Sequence, residues 1–260
     1  MHIIRFSANG RIKYGTIESE MISSYRGSPF SAPKDTKTPF EPDGNKYSIN
    51  KVKLLAPCSP SKIVCLGLNY RRHAEELKAA IPSVPLLFLK PSTTIIGPEA
   101  KIMLPHRYTR VDYEGELGVV IGTAAKEVTE TEAANFILGY TCLNDVTERH
   151  IQKEDGQWTR AKSFDTFAPI GPCIQTTTDP DNLKLETYLN GNLRQSIRTS
   201  DLIFEVPELV SFISGVMTLL PGDIIATGTP SGIGPMAPGD MIEIKIDTIG
   251  TLRNFVSEHN

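Results

Sequence analysis

Short apolar runs bounded by Gly, Pro and Asp dominate the hydrophobic pattern of this chain and predict strands more often than helices. Clear examples are residues 63–66, 117–121 and 224–226, which are short and rich in aliphatic and β-branched side chains. The sequences "LPGDIIATG" and "APGDMIEIKI" both place Pro-Gly-Asp before such a run, which indicates a turn that leads into a strand. Because helices do not alternate regularly with strands, the pattern predicts an α+β fold dominated by a mixed sheet.

Three segments show helical spacing instead. The first begins with Asn69 as its cap, and the second, "VTETEAANFILG", has Thr129 and Glu132 at capping-box spacing and should end at Gly139. The third, "VPELVSFISGVMTLLPG", has Pro207 in its first turn. The first helix is predicted to place four residues on one face: Tyr70, Ala74, Leu77 and Ile81. The third helix is predicted to have an apolar stripe of Leu209, Val210, Ile213, Val216, Met217 and Leu220. We interpret the stripe of the third helix as core packing.

A change in composition near residue 57 predicts two units. Residues 1–57 contain the strand-like runs "HIIRF" and "IKYGTIE" and then the polar loop "GSPFSAPKDTKTPFEPDGNK", which is typical of a small β-rich domain with a linker. Residues 58–260 would form the larger unit, and a chain of 260 residues can bury a full core.

The charge balance argues against nucleic acid or an anionic membrane as a partner. The chain carries 27 Lys and Arg against 30 Asp and Glu, a net charge of −3, without an extended basic cluster. The most apolar later stretch, residues 202–220, includes Glu205, Pro207 and Glu208, so it does not supply the roughly 20 apolar residues of a membrane span. The four cysteines, at positions 58, 65, 142 and 173, match neither zinc nor disulfide spacing. We therefore expect a cytoplasmic protein with reduced thiols and a small-molecule ligand.

Two glutamates in the apolar segment "VDYEGELGVVIG" are the first candidates for chemistry. Glu114 and Glu116 are two residues apart, so in a strand they would project from the same face. Asp145 follows another apolar run and could add a third carboxylate from a neighbouring strand end. Three oxygen ligands with open positions suit Mg²⁺ or Mn²⁺. The alternative is that the glutamates are surface charges on an edge strand and that Asp145 caps a turn.

Further candidates lie in three other segments. His73 and Glu76 are three residues apart, so on a helix the carboxylate could orient the imidazole for proton transfer, although a solvated helix face gives the same spacing. Lys162 lies among aromatic residues in "QWTRAKSFDTFAPIGP"; it either stays near an anion or covers the rings with its stem. The segment "GTPSGIGP" lacks the residues of a nucleotide-binding loop. Its Thr229 and backbone N–H groups could instead bind a carboxylate.

Taken together, "GLNYRRHAEEL", "PLLFLKPST", "DYEGELGVVIG", "CLNDVTERHIQ", "QWTRAKSFDTFAPIGP" and "LLPGDIIATGTPSGIGP" resemble the fumarylacetoacetate hydrolase family in order and spacing. The resemblance covers residues 58–258 and implies a mixed β-sheet or β-roll with few helices, preceded by a small N-terminal β-rich appendage. It also implies a homodimer and a bound Mg²⁺ or Mn²⁺, with Ca²⁺ as a substitute in crystals. The resemblance assigns Glu114, Glu116 and Asp145 to the metal, His73, Glu76 and Lys162 to catalysis, and Lys90, Arg149, Gln152 and Thr229 to substrate binding.

One departure from the family pattern narrows the expected reaction. The founding hydrolase has a further aspartate ligand ahead of its catalytic histidine, whereas residues 64–69 of this chain contain no acid. The chain therefore resembles the branch with three carboxylate ligands, which includes acylpyruvate hydrolases, oxaloacetate decarboxylases and isomerases of hydroxymuconate and hydroxyheptadienedioate type. We expect an enzyme that acts on 2-oxo or 2,4-dioxo acids through a metal-stabilised enolate. Acylpyruvate hydrolysis is the favoured reaction among those of this branch. A metal-dependent dicarboxylate-binding protein is the non-enzymatic alternative.

Overall fold

The computed structural model describes residues 1–30, 40–76 and 80–258, except for the side chain of His73, and strands account for most of the regular structure in this part of the chain. The strands are β1 (His2–Ala8), β2 (Arg11–Glu18), β3 (Met21–Arg26), β4 (Glu41–Ser48), β5 (Lys53–Leu55), β6 (Lys62–Gly67), β7 (Leu86–Pro91), β8 (Ile95–Ile96), β9 (Lys101–Leu104), β10 (Val111–Tyr113), β11 (Gly115–Ile121), β12 (Ile137–Asn144), β13 (Thr147–Glu148), β14 (Ala168–Gln175), β15 (Lys184–Leu189), β16 (Asn192–Arg198), β17 (Ile224–Ala226), β18 (Gly234–Pro235), β19 (Met241–Ile246) and β20 (Gly250–Glu258). The α-helices are α1 (Arg71–Glu76), α2 (Arg149–Asp155), α3 (Thr159–Lys162) and α4 (Val206–Val216). Short 3₁₀ helices lie at Ile49–Lys51, Ser92–Thr94, Glu130–Phe136, Pro180–Asn182 and Thr199–Asp201. Within the described residues, no helix has the length and apolar character needed to cross a membrane.

Two large sheets carry the fold. The first has 12 strands, in the order β4-β3-β2-β1-β14-β12-β11-β17-β6-β7, with β5 paired to β1 and β8 paired to β14. The second has five strands, in the order β16-β15-β19-β20-β9, and a small third sheet has the order β13-β10-β18. Most neighbours are antiparallel, but β6 with β17, β8 with β14 and β9 with β20 are parallel. The predicted mixed-sheet α+β class is confirmed.

Strand β11 lies in the centre of the large sheet, between β12 and β17. Every residue of β11 is buried, which explains why residues 117–121 are apolar instead of alternating between apolar and polar. Leu117 and Val119 belong to a core cluster that includes Leu185 and Ile244 of the five-stranded sheet, whereas Val120 faces a second cluster. The two sheets therefore pack on each other across one face of β11.

The N-terminal strands are part of the same sheet as the rest of the chain. Strand β1 pairs with β14, with Ile3 opposite Ile174. Ile3 packs in a cluster with Ile170 and Ile174, so the N-terminal strands share a core with the larger unit. Residues 41–46, expected as part of a polar loop, form most of β4 instead, because pairing with β3 satisfies their backbone groups.

The three predicted helices are present, but their boundaries differ. The second is a 3₁₀ helix that ends at Phe136, not at Gly139, because Gly139 lies in β12 opposite Val120. Its capping box between Thr129 and Glu132 is present. In α4, Val216 is 59% exposed and Leu220 lies beyond the helix, so the predicted apolar stripe is shorter than expected.

The first helix, α1, begins one residue later than predicted, at Arg71. Tyr70 precedes it in a bridge with Leu202, and Ile81 lies outside any helix and is 46% exposed. Leu77 lies outside the described residues. The side chain of Asn69 hydrogen bonds to backbone groups of Phe204 and Thr227, so it ties the start of α1 to the core.

The helices α2 and α3 were not predicted, since each spans only one or two turns. Glu148 caps α2 by accepting a hydrogen bond from the Ile151 N–H, and Gly156 ends the helix in the left-handed region with φ of 68°. Helix α3 follows directly and ends at Lys162. These two short helices carry several of the candidate site residues.

Candidate active site

The three candidate metal ligands converge in the structure. Glu114 lies between β10 and β11, Glu116 lies in β11, and Asp145 follows β12, which pairs with β11. One oxygen atom from each carboxylate lies within 4.8 Å of the others. All three residues are buried, with exposed fractions of 5% or less. They are therefore not surface charges on an edge strand, and Asp145 does not serve as an exposed turn residue.

The segment that carries the glutamates is not one continuous strand. Glu114 separates β10, which belongs to the small sheet, from β11, which belongs to the large sheet. The N–H group of Glu114 donates to the side chain of Asn144, and its carbonyl accepts from the N–H of Asp145. These bonds attach the interruption to the end of β12 and bring the carboxylates of Glu114 and Asp145 together.

Two buried lysines compensate the acidic cluster. The Lys162 Nζ lies 2.7 Å from Oε2 of Glu114 and 2.6 Å from Oδ2 of Asp145. The Lys90 Nζ lies 2.5 Å from Oδ1 of Asp145 and 3.0 Å from the carbonyl of Val146. Lys162 is thus held by anions, and its Nζ also lies 4.9 Å from the centroid of the Phe88 ring.

The pKa directions follow from burial and these contacts. Burial, followed by the charges of Asp145 and Glu114, raises the pKa of Glu116 well above its usual value. Burial alone would lower the pKa of Lys162, but the charges of Asp145 and Glu114 outweigh it and raise this pKa. Burial dominates at Lys90 and lowers its pKa. Lys162 and Lys90 bind Glu114 and Asp145, so Glu116 is the carboxyl group of the cluster whose charged form is compensated least.

Arg149 extends this network away from the acidic cluster. Its guanidinium donates to Glu114, to Oδ2 of Asp112 at 2.9 Å and to Oε1 of Gln152 at 2.9 Å. The charges of Glu114 and Asp112 outweigh burial and raise the pKa of Arg149. Asp112 also accepts two hydrogen bonds from Arg110, at 2.8 and 3.0 Å. One buried carboxylate therefore positions two arginines.

A cavity of about 500 Å³ opens over these residues. Its charged wall contains Glu114, Glu116, Arg149 and Lys162, together with Gln152 and Thr229 among the predicted binding residues. Its apolar wall is formed by Leu66, Leu68, Phe88, Trp158 and Ile233. Lys90 does not line this cavity and contacts Asp145 from the protein interior. The volume is that of a small-molecule site.

The loop after β17 closes one side of the site. The N–H of Gly228 donates to Oε2 of Glu116 at 2.8 Å, and Gly228 has a φ of 97°, which favours glycine. The Thr229 hydroxyl donates to the carbonyl of Gly115 and accepts from Nε2 of Gln195. The backbone of this loop thus binds a carboxylate of the protein itself.

Helix α1 carries the predicted acid/base pair. His73 lies in α1, but its side chain lies outside the described residues. The carboxylate of Glu76 accepts from the N–H of Gly232, at 3.2 and 3.4 Å. This contact joins α1 to the same loop that binds Glu116.

Sequence reasoning missed four polar residues of the site. Asp112 extends the alternation of Glu114 and Glu116 by one step, so the period of two residues could have found it. Arg110 continues the same alternation. Lys153 lies in α2, four residues after Arg149, which was itself identified only through the resemblance. Gln195 carried no signal, because it reaches the site from β16 of the other large sheet.

The donor set fits a hard divalent cation. Three carboxylates offer only oxygen ligands, converge within 4.8 Å of one another and are partly exposed to the cavity through Glu114 and Glu116. Mg²⁺ and Mn²⁺ bind through such oxygens and retain positions for water or substrate. Burying three carboxylates is costly unless cations compensate them, so the arrangement supports an ion-binding role.

The chain belongs to the fumarylacetoacetate hydrolase family. The family model for the fumarylacetoacetate (FAA) hydrolase C-terminal domain matches residues 62–257, and a model described as Rv2993c-like, N-terminal, matches residues 1–57. The family resemblance found in the sequence is therefore confirmed. Enzymes of several reaction classes share this family, among them hydrolases, isomerases and a tautomerase.

Individual relatives match this chain over four fifths of its length or more. An uncharacterized protein of Archaeoglobus fulgidus is 51% identical over 96% of this chain and 94% of its own. Oxaloacetate tautomerase YisK of Bacillus subtilis is 46% identical over 81% of this chain and 75% of its own. The crystal structure of 2-hydroxyhepta-2,4-diene-1,7-dioate isomerase from Mycobacterium marinum is 43% identical, with a TM-score of 0.91 and coverage of 100% of this chain and 99% of that one. Maleylpyruvate hydrolase from Sphingobium sp. SYK-6, solved in complex with manganese (II) ion and pyruvate, is 28% identical, with a TM-score of 0.81 and full coverage of both chains.

Proposed function

We propose that this protein is a Mg²⁺- or Mn²⁺-dependent enzyme that acts on 2-oxo or 2,4-dioxo acids through an enolate. Hydrolysis of the C–C bond of an acylpyruvate is the reaction that we favour. The observation that carries the proposal is the convergence of Glu114, Glu116 and Asp145 at the wall of a cavity of about 500 Å³. The manganese and pyruvate in the related maleylpyruvate hydrolase structure support this choice of metal and of substrate class.

Glu114, Glu116 and Asp145 would hold the cation. When bound, a divalent ion supplies Lewis-acid chemistry, which polarises a 2-oxo group and stabilises the negative charge that develops on its oxygen. Lys162 adds a fixed positive charge at the same place, because its Nζ contacts both Glu114 and Asp145. Arg149 and Gln152 would bind the substrate carboxylate, since both line the cavity and hydrogen bond to each other.

His73 and Glu76 would move the protons. In hydrolysis, His73 removes a proton from water, the water oxygen attacks the 4-oxo carbon, and the bond between C3 and C4 breaks. Its electron pair passes into the enolate of pyruvate, and a proton returned to C3 completes the reaction. Glu76 would orient His73 from the same helix, and its contact with Gly232 fixes the helix against the cavity loop.

Tautomerisation of oxaloacetate is a second candidate. The 46% identity to oxaloacetate tautomerase YisK favours it. The same pair would then move one proton between C3 and the 2-oxo oxygen, and no water would be consumed. Decarboxylation of oxaloacetate and isomerisation of a hydroxymuconate or hydroxyheptadienedioate would also pass through an enolate. A dicarboxylate-binding protein without turnover would use the carboxylates but not His73.

A substrate panel tests the proposal. Acetylpyruvate, fumarylpyruvate, oxaloacetate and a hydroxymuconate diacid are incubated with the protein and Mn²⁺ or Mg²⁺, and the enol absorbance and the products are followed. We expect turnover that EDTA abolishes and fresh metal restores. Absence of turnover of all four substrates would overturn the proposal.

Two variants separate catalysis from metal binding. His73→Ala is expected to abolish turnover while Mn²⁺ affinity, measured by calorimetry, and the Tm stay close to those of the wild type. Glu116→Ala is expected to weaken Mn²⁺ binding first, because it removes one of three converging ligands. Full activity in His73→Ala would contradict the acid/base role.

We further propose that the enzyme works as a cytoplasmic homodimer. The family resemblance implies a homodimer, and β7, at the edge of the large sheet, exposes Leu86 and Leu89 at 43% and 42%. Light scattering coupled to size exclusion should give twice the mass of the 260-residue chain. A monomer at micromolar concentration would contradict this part of the proposal.

A further inference from the structure

Arg110 occupies a fixed position at the charged wall of the cavity. Its Nε and Nη2 donate to the two oxygens of Asp112, at 2.8 and 3.0 Å. Asp112 is completely buried and also accepts from Arg149, so the carboxylate cannot move with Arg110. The guanidinium is therefore held in one orientation, although half of the Arg110 side chain is exposed.

Part of this guanidinium is free to bind a ligand. Arginine has five N–H groups, and two of those of Arg110 point to Asp112. Within residues 1–30, 40–76 and 80–258, the other N–H groups of Arg110 have no hydrogen-bond partner. Because Arg110 lines the cavity, these groups are available to a carboxylate inside it.

The charge of the cavity wall favours a ligand that has a second anionic group in addition to the carboxylate of the 2-oxo acid. Among the described lining residues, four are basic (Arg110, Arg149, Lys153 and Lys162) and three are acidic (Asp112, Glu114 and Glu116). Behind this wall, the buried pair of Asp145 and Lys90 contributes one charge of each sign, and a divalent cation on the acidic cluster would add two positive charges. A ligand with one carboxylate leaves most of this positive charge unmatched, whereas a dianion matches it better.

The order of the groups along the wall sets the direction of the ligand. Arg149 contacts Glu114 of the acidic cluster, Asp112 lies next, and Arg110 lies beyond Asp112. A substrate with its 2-oxo acid end at the cluster would extend its carbon chain along the apolar wall, which includes Phe88 and Trp158. Its far end would then reach Arg110.

We propose that Arg110 is a specificity-determining residue that binds a second, distal carboxylate, so that the protein prefers 2-oxo diacids to 2-oxo monoacids. This inference rests on the proposed function, because it takes the 2-oxo acid end to lie at the acidic cluster. Asp112 acts as a positioning residue for Arg110 and does not contact the substrate carboxylate. Lys153, which lines the same cavity, adds a further positive charge.

An equilibrium experiment tests the inference without turnover. The Mn²⁺-loaded protein is titrated by calorimetry with 2-oxoglutarate and with 2-oxopentanoate, which has a methyl group in place of the distal carboxylate. The wild type should bind the diacid roughly tenfold more tightly or better, since a hydrogen bond between charged groups is the difference. Arg110→Gln should remove most of this preference, and Arg110→Lys should keep part of it.

Arg160→Gln is the matched control. Arg160 also donates through Nε and Nη2 to one aspartate, Asp155, and is similarly exposed at 57%, but it does not line the cavity. This variant should keep the preference of the wild type. Circular dichroism and the Tm check that all variants are folded.

Kinetics distinguish failure of the inference from failure of the proposed function. If fumarylpyruvate and acetylpyruvate are turned over, Arg110→Gln should raise KM for fumarylpyruvate roughly tenfold more than it raises KM for acetylpyruvate. Turnover without any diacid preference, or a preference that survives in Arg110→Gln, overturns the inference and leaves the proposed function standing. No binding of either acid also overturns it. A diacid preference in calorimetry without turnover of any substrate supports the role of Arg110 and overturns the proposed enzyme.

Discussion

At the scale of single residues, the stability of the site depends on a buried charge balance. Lys162 is 2% exposed and contacts two carboxylates that are themselves buried. Removing one partner of such a cluster is far more costly than the net stabilisation that the intact cluster provides, because the remaining charges are left uncompensated. Lys162 therefore stabilises the protein even where no substrate is present.

Lys162→Met is expected to destabilise the metal-free protein by about 3–5 kcal/mol, measured by urea denaturation in EDTA. Mn²⁺ should raise the Tm of this variant more than that of the wild type, because the cation takes over part of the compensation. Lys126→Met is the control, since Lys126 pairs with Glu127 on the surface, where the two side chains are 48% and 77% exposed, and its loss should change the Tm little. An equal response of Lys162→Met and wild type to Mn²⁺ would contradict this account.

Asp223, in the first Pro-Gly-Asp turn, is a second buried charge with a structural role. Its carboxylate accepts hydrogen bonds from Ser61, Lys62 and Leu220. Burial alone would raise the pKa of Asp223, but the bonds from Lys62 and Ser61 outweigh burial and lower it. The aspartate thereby holds the start of β6 against the turn before β17.

Asp223→Asn is expected to lose about 1–3 kcal/mol of stability at neutral pH. A lowered folded-state pKa stabilises the protein above the unfolded-state pKa, near 3.8, and this contribution disappears as the pH falls through the folded-state pKa. The difference between wild type and variant, measured by denaturation at several pH values, should therefore shrink in acid. Asp240→Asn, in the second Pro-Gly-Asp turn, is the control, because Asp240 accepts hydrogen bonds from the neutral groups of Asn190 and Ala237. If the stability difference between wild type and Asp223→Asn stays the same in acid as at neutral pH, this would argue against the charge interaction.

At the scale of elements, the site is assembled where strands of different sheets meet. Gln195 in β16 accepts from the N–H of Gly115 at 3.0 Å and donates to the Thr229 hydroxyl and the Pro230 carbonyl, both at 2.9 Å. One side chain thus connects the start of β11 with the loop that binds Glu116. The five-stranded sheet positions the candidate metal ligands without supplying any of them.

Gln195→Leu is expected to destabilise the protein by about 1–3 kcal/mol for each buried polar group that it leaves unpaired. It should also weaken Mn²⁺ binding, because the loop with Gly228 loses its attachment. Denaturation and calorimetry measure the two effects. Leu193→Ala, at a position that is 52% exposed on the same strand, should change neither, and unchanged Mn²⁺ affinity in Gln195→Leu would show that the loop is held by other contacts.

The elements also show the limits of sequence reasoning. The strands after both Pro-Gly-Asp turns and the capping box at Thr129 were predicted correctly, because their signals lie within a few residues. The interruption of the strand at Glu114 was not predicted. It arises because the chain passes there from β10 in the small sheet to β11 in the large sheet. Helices α2 and α3 are too short for a periodic pattern, so Arg149 could be assigned to the site only through the family resemblance.

At the scale of the whole molecule, the N-terminal strands complete the core of the larger unit. Residues 1–57 match a family model of their own, yet β1 pairs with β14, and Ile3 is buried in a core cluster with Ile170 and Ile174 of β14. Phe6 and Ile22 join the other core cluster, which includes Leu117 and Val119 of β11. Removal of these strands would expose an apolar face and a sheet edge.

Ile3→Ser is expected to destabilise the whole protein by about 3 kcal/mol or more, because it removes buried apolar volume and buries a hydroxyl. Thermal denaturation should still show one transition. Ile12→Ser, on the same N-terminal sheet but at a position that is 58% exposed, is the control and should have little effect. Two separate transitions, with only one shifted by Ile3→Ser, would indicate that the N-terminal strands fold independently.

The sequence by itself determined the strand-rich class, the candidate carboxylates and, through its motifs, the family, because these depend on periodicity and on residue types within short windows. Only the tertiary structure decided which charges meet. Lys162 lies between Glu114 and Asp145, Gln195 reaches in from another sheet, and Asp112 holds two arginines side by side. Contacts between residues distant in the sequence depend on which strands pair and how the sheets pack. Local propensity does not determine either of these.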